Sequence, residues 1–501
     1  MNKLIEKEKR IVVMSLRLPV VKTTHSNGKI VWMKTVGGMA SALEQSLKIS
    51  ANRNNPALWL GWLGDYENSF QPLVKTKHFH ILSVGIPKEE FKNYYKHFSN
   101  TVIWPAFHNF DEMISKNKEK IEKGWKDYVS VNKRFANEYL KVAQKNDRLI
   151  VHDYQLTQVA KNLKTKGFKN SITYFLHIPF PKPQTFFKMP HAKDLLLALL
   201  SYNQIAFQTE KDMKNFEACA NFLNANIALP QLAVNPISID PKGFVKIAAE
   251  PHVQELSKQI KNKYKGQKII FSAGRLDYTK GFVESVKAFK KTLMQNPKLI
   301  EKTVFLIAAA KSRESIPSYR KYAKRLEAEI AKINKQFKPK KYQPVINLGG
   351  LPQEQVVAHY ISCDVYLAGS LADGMNLTAL EATAVCNEKN GMPTILVGKG
   401  AGVSRQLTGA ITFDAKNLKD QSNAILQALK MGTFERIARM KANKASLRAN
   451  TIENWTQHLL NFETYKPYPK NLKTPKVILR KNLDKLHPQL KPARSNHKFS
   501  W

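Results

Sequence analysis

Short apolar runs alternate with amphipathic stretches over most of the chain. In the first half, residues 11–15, 57–62, 149–152, 172–177 and 204–208 have the length and composition of buried strands. In the second half, residues 268–273, 303–309, 345–348, 365–368 and 394–397 do the same. Segments with helical spacing fall between most of them, among them residues 39–48, 282–292 and a closing helix at 454–462. Strand and helix alternating almost from end to end is the pattern of parallel sheets covered on both faces, so the fold class is α/β. The Pro- and Gly-bearing stretch 236–243 is the best boundary. It divides the chain into residues 1–240 and 241–462, two similar α/β domains facing each other across a cleft. Residues 463–501 hold ten Lys or Arg against two acidic residues, with five prolines, and are expected to form a disordered basic tail.

In such sheets ligands bind beyond the carboxyl ends of the strands, where the following helix turns free N–H groups outward. Two segments have that form. The strand at 365–368 runs through a polar Asp373-Gly turn into a helix carrying Glu381. Those two acids are eight residues apart, roughly 12 Å at a helical rise of ~1.5 Å per residue, about the reach of a nucleotide-sugar. An ordinary turn with a capping Asp and a solvated Glu fits the segment equally well. The strand at 268–273 delivers Gly274-Arg-Leu-Asp-Tyr-Thr-Lys-Gly281 to a helix start. Arg275 and Lys280 are unfavourable beside a helix N-terminus unless an anion shares the site, and a diphosphate would resolve the conflict. Solvated basic residues are the alternative.

Composition narrows the class. Hydrophobic residues make up 43%, and apolar runs such as residues 195–200 are far too short to span a bilayer. The charged N-terminus lacks the form of a signal peptide, and three scattered cysteines give neither a disulfide framework nor a zinc spacing, so a cytoplasmic location is expected. A formal charge of +41 raises nucleic-acid binding. However, Lys is spread over most helices and no nucleic-acid module is present, so no specific nucleic acid is expected. Weaker candidates stand at strand ends or before helices: Gly37-Gly38, His152-Asp153-Tyr154, His177, Arg17 and Arg313. Trp62, Tyr95 and Trp104 either stack on a sugar or fill the core. Taken singly, each fits a structural role.

Five ordered motifs change that balance. Phe98-Ser-Asn-Thr-Val-Ile-Trp-Pro-Ala-Phe-His108, Val151-His-Asp-Tyr154, Phe175-Leu-His-Ile-Pro-Phe-Pro181, Arg275-Leu-Asp-Tyr-Thr-Lys-Gly281 and Asp373-Gly-Met-Asn-Leu377 together resemble the trehalose-6-phosphate synthase family of retaining glycosyltransferases. The resemblance spans about residues 11–462. It implies a GT-B fold of two Rossmann-like domains and transfer of glucose from a nucleotide-glucose to glucose 6-phosphate, forming trehalose 6-phosphate. It further implies that Arg17, Trp62, Tyr95, Trp104, Asp153 and Arg313 hold the acceptor. Gly38, His177, Arg275, Lys280, Asp373, Gly374, Met375, Asn376, Leu377 and Glu381 would hold the donor, with Arg275, Lys280 and Asp153 carrying the catalysis. The proposed front-face route needs no protein nucleophile. No cofactor is implied, and the chain has no Asp-x-Asp metal motif. Departures occur at Ala372, where the family commonly has Arg, at Ser15-Leu-Arg17 and at Pro236-Ile-Ser-Ile239. Ser272-Ala-Gly-Arg275 and Trp455-Thr-Gln-His-Leu-Leu460 look closer to glucosylglycerol-phosphate synthases, which would take glycerol 3-phosphate. The donor base and any homo-oligomer stay open.

Overall fold

The structure is a computed structural model describing residues 9–24, 30–34, 38–50, 56–64, 66, 74–76, 78–223, 228–337, 342–387 and 391–462. The tail expected from 463 onward lies outside the described residues.

Strands β1 (Ile11–Arg17), β4 (Ala57–Trp62), β5 (Val74–Lys75), β6 (Phe79–Ser83), β7 (Arg148–His152), β8 (Ile172–Phe175), β9 (Gln204–Phe207) and β10 (Gln231–Val234) form one sheet; β2 (Val20–Thr24) and β3 (Ile30–Lys34) make a separate antiparallel hairpin. The sheet runs β10-β9-β8-β7-β1-β4-β6-β5 and is parallel except for the β5–β6 pair. A second, all-parallel sheet contains β11 (Lys268–Arg275), β12 (Thr303–Ala310), β13 (Val345–Asn347), β14 (Val365–Ala368), β15 (Thr394–Gly398) and β16 (Ile411–Phe413). Its order, β13-β12-β11-β14-β15-β16, is the doubly wound 3-2-1-4-5-6 arrangement. The central strands are buried along almost their whole length because helices cover both faces: Val12 and Met14 fall in one apolar layer, Val13 and Trp59 in the other. The two-sheet GT-B architecture agrees with the sequence reading.

In each sheet the crevice is set by the strand from which the order departs in both directions. These are β1 with β7, and β11 with β14. The carboxyl ends of those four strands present Arg17, Asp153, Arg275 and the Ser370–Leu377 turn.

The closing helix is Ile452–Asn461. Sequence reasoning ends the second domain with it, and in the structure it lies against the first sheet. Trp455 packs edge-on against Phe175, 5.3 Å between centroids. The boundary stretch is tied to it by Asn235 Nδ2 donating to Trp455 O (3.1 Å) and Asn450 Nδ2 donating to Pro236 O (2.9 Å). A fully buried indole needs a large apolar wall, and β8 offers one. Among the described residues no helix is long and apolar enough to cross a membrane.

Candidate active site

At the end of β11 the chain turns through Asp277, whose Oδ1 accepts the Thr279 N–H (3.0 Å). Gly281 follows at φ 68, with no room for a side chain: a Cβ would lie 2.1 Å from the Gly369 carbonyl. The helix Phe282–Gln295 starts there. Leu371 N donates to Thr279 O (2.8 Å), so the turns after β11 and β14 are stitched together. The Lys280 ammonium pairs with the Asp373 carboxylate across this seam. Ser370 Oγ also donates to that carboxylate (3.3 Å) and receives a hydrogen bond from Asn376 Nδ2 (3.1 Å). Asn376, at φ 78, caps the helix Leu377–Val385 by accepting Ala379 N–H (3.2 Å).

Two expectations are corrected here. The helix begins only at Leu377, and Asp373 sits in a turn bridged to Ala401, so helical rise does not set its distance from Glu381. Sequence reasoning also asks for an incoming anion to balance Arg275 and Lys280. The protein supplies two of its own, Asp277 and Asp373.

In the first unit, Arg17 closes β1 with its guanidinium 5.0 Å from the Trp62 ring and 5.7 Å from the Tyr95 ring. Trp62 stacks on Phe91 at 4.0 Å, and Tyr95 stacks on the same ring at 5.0 Å. Tyr95 belongs to a π-helix, Lys92–Ile103, that ends at Trp104. The wider winding brings both aromatic residues to the cleft side, a device often found near functional sites. Asp153 follows β7 at φ 74 and accepts the His177 N–H (3.2 Å).

Among the contacts between the two units, four bear on the site. Arg313, placed at φ 52 just after β12, lies 4.1 Å over Trp104 and donates to Tyr154 OH (3.1 Å) and to Tyr319 OH. Arg275 is 5.4 Å from the same indole, its side chain 48% exposed against 6% for Arg313. Gly374 abuts the His177 carbonyl, and Gly38 abuts Leu377. Thus the predicted site residues come together, with two exceptions. Met375 is core, its carbonyl accepting Val403 N–H (2.9 Å). Glu381 is half-buried and held by the Tyr360 hydroxyl (3.0 Å), with no contact to the Lys280–Asp373 pair. On the far side of Asp373 a cavity of about 420 Å³ opens between the units, and Ala372 lines it.

Charge in the cleft is unevenly balanced. Burial pushes the Asp153 carboxyl up to about 7, although N–H groups and Arg313 work against it. Asp277 is also buried and Asp373 half-buried, yet both lie below the ordinary carboxylate range. Arg313 and Arg275 hold the first there, and Lys280 the second. Burial opposes ionisation of the Tyr95 hydroxyl too, but Arg313, Arg17 and Arg275 outweigh it and bring it down to about 8. Burial keeps His152 neutral, at about 3, and its Nδ1 lies at hydrogen-bond distance, 3.0 Å, from His177 Nε2. Four cations therefore face two firmly ionised carboxylates. The surplus is suited to phosphate groups, and the Trp104 indole N–H, buried without a partner among the described residues, is a free donor beside it.

Asp277 and Tyr319 carry this arrangement but were not singled out from sequence, and Tyr154 was named only within the strand-end candidate His152-Asp153-Tyr154, without a role. Asp277 and Tyr154 lie inside quoted motifs, two and one residues from site positions; Tyr319 has no local signal.

Against known proteins, a profile of Glycosyltransferase family 20 matches residues 9–463. The trehalose-6-phosphate synthase of Enterobacter sp. (strain 638) is 32% identical over 463 residues, covering 89% of this chain and 94% of that protein. An E. coli trehalose-6-phosphate structure bound with UDP-2-fluoro glucose superposes with a TM-score of 0.82 at 30% identity, covering 92% of this chain and 100% of the other. The UDP-forming alpha,alpha-trehalose-phosphate synthase of Burkholderia xenovorans in complex with glucose-6-phosphate gives 0.81 at 26%, covering 91% and 99%.

Proposed function

The chain belongs to glycosyltransferase family 20, and from that premise we propose that it transfers glucose from UDP-glucose to glucose 6-phosphate, giving α,α-trehalose 6-phosphate. The observation that carries the reading is that two cation groups, Arg17 with Arg313 and Arg275 with Lys280, converge on one cleft. Arg17 and Arg313 flank the aromatic wall of Trp62, Tyr95 and Trp104 and take the acceptor phosphate. Arg275, at the end of β11, and Lys280, just before the helix Phe282–Gln295, take the donor diphosphate, where the helix N-terminus adds partial positive charge. As the glycosidic bond to UDP breaks, negative charge grows on the β-phosphate. Arg275 and Lys280 are already in place to stabilise it. Asp153, at the carboxyl end of β7, receives sugar hydroxyls. Gly38, His177 and the 373–377 turn enclose the donor glucose. The acceptor hydroxyl attacks from the same face, and its proton passes to the departing diphosphate.

Glycerol 3-phosphate is disfavoured as acceptor because the relatives of this chain are named as trehalose-6-phosphate synthases. It would also leave the aromatic wall without a ring to cover. UDP release measured with glucose 6-phosphate, glycerol 3-phosphate or free glucose tests the reading. Release that depends on glucose 6-phosphate supports it, and equal or greater release with glycerol 3-phosphate overturns it.

A further inference from the structure

We infer that Asp277 is a positioning residue that couples the two substrate sites, one buried carboxylate holding both the acceptor-side Arg313 and the donor-side Arg275 in register. The inference rests on the proposed division of the cleft and deepens it. Asp277 is fully buried, and its two oxygens have separate tasks. Oδ1 caps the turn that carries Lys280, through Thr279 N–H at 3.0 Å. Oδ2 faces Arg313 Nη1 at 3.6 Å, Arg275 Nη2 at 3.9 Å and the Tyr319 hydroxyl at 3.3 Å. Tyr319 in turn receives a hydrogen bond from Arg313, which closes a ring of Asp277, Tyr319 and Arg313. Both guanidinium groups also lie against one indole, Trp104, so neither moves without disturbing the same two neighbours. A buried charge without a partner is strongly unfavourable, so a carboxylate held here keeps its cations close. When a phosphate draws Arg313 toward the acceptor side, the second partner of Asp277, Arg275, is the group left to answer.

The test is Asp277→Asn, which keeps the size and the Oδ1 cap but removes the charge, set in a double-mutant cycle with Arg313→Ala. Acceptor KM and donor KM are both expected to rise, each by roughly tenfold or more, given what one charge-assisted contact contributes. In the Arg313→Ala background the same substitution should leave acceptor KM nearly unchanged while still raising donor KM. Full additivity on acceptor KM, or a donor KM that stays at the wild-type value, overturns the inference. If Asp277→Asn does not fold, Tyr319→Phe in the same cycle reads the Arg313 arm, again with non-additivity expected and additivity refuting. Failure of the proposed function is a different result, because the wild type would then form no disaccharide phosphate.

Discussion

Gly374→Ala tests whether the two units meet as the structure places them. A Cβ at this position would lie 1.9 Å from the His177 carbonyl oxygen, 2.9 Å from its carbon and 3.2 Å from Ile178 Cα. All three atoms are backbone, so no rotamer change relieves the clash, and the contact must open by at least ~1 Å before carbon and oxygen tolerate each other. That movement pulls the 373–377 turn away from His177. A displacement of about 1 Å in a positioning group can cost on the order of 100-fold in rate. Overpacking itself costs about 1–3 kcal/mol, against a typical stability of about 5–15 kcal/mol, so the variant should fold. Gly409→Ala is the control. Its Cβ would lie 2.0 Å from Arg439 O, an equally severe clash that stays within the second unit. Initial rates of glucosyl transfer, read beside thermal melting, should show a large loss of kcat/KM for Gly374→Ala, whereas Gly409→Ala should lose melting temperature and keep near-normal kinetics. A Gly374→Ala enzyme with close to wild-type turnover would refute the interface.

Lys280→Ala and Arg275→Ala should each lower kcat by ~100-fold or more, since each removes a cation matched to the leaving diphosphate. Near-normal kcat in both would contradict the donor assignment. Arg313→Ala should raise acceptor KM by roughly 10- to 100-fold with little change in donor KM, and should narrow the preference for glucose 6-phosphate over free glucose. An unchanged acceptor KM with a raised donor KM would place Arg313 in the other half of the cleft. Asp153→Asn gives a pH test by chemical denaturation. The folded carboxyl titrates at about 7 against an ordinary value of 3.8, so the native state binds the extra proton between those limits. Wild type should therefore lose stability relative to Asp153→Asn as pH rises from about 4 to about 7 and level off above, whereas a constant difference would show that Asp153 is ionised throughout.

The fold was legible where strands are buried on both faces. Residues 57–62 and 365–368 match β4 and β14 at both ends, and β1, β7, β11 and β12 differ from the reading by only one or two residues. The strands missed are β2, β3, β5, β6, β10 and β16. β10 and β16 are short edge strands with exposed residues such as Gln231 and Thr412, so no continuous apolar run marks them. β6 is interrupted by His80, and β5 is two exposed residues long. The closing helix was found, but amphipathic spacing says only that a face is buried, not which sheet covers it. Helical spacing also gave no warning of the π-helix at Lys92–Ile103, although that winding sets the directions of Tyr95 and Trp104. Site residues at strand ends, such as Arg17, Asp153 and Arg275, could be found because topology puts ligands there. Asp277 and Tyr319 could not, because the contacts that join Asp277 to Arg313 and to Tyr319, 36 and 42 positions away, form only when the chain is folded.

The most direct test is the structure of the product. Purified enzyme is incubated with UDP-glucose and glucose 6-phosphate, and the disaccharide phosphate is analysed by NMR, with ADP-glucose, GDP-glucose and glycerol 3-phosphate as parallel substrates. The expected product is α,α-1,1-linked trehalose 6-phosphate, with the donor's anomeric configuration retained. A β-linked product, a glucosylglycerol phosphate formed in preference, or hydrolysis of UDP-glucose without transfer would contradict the account.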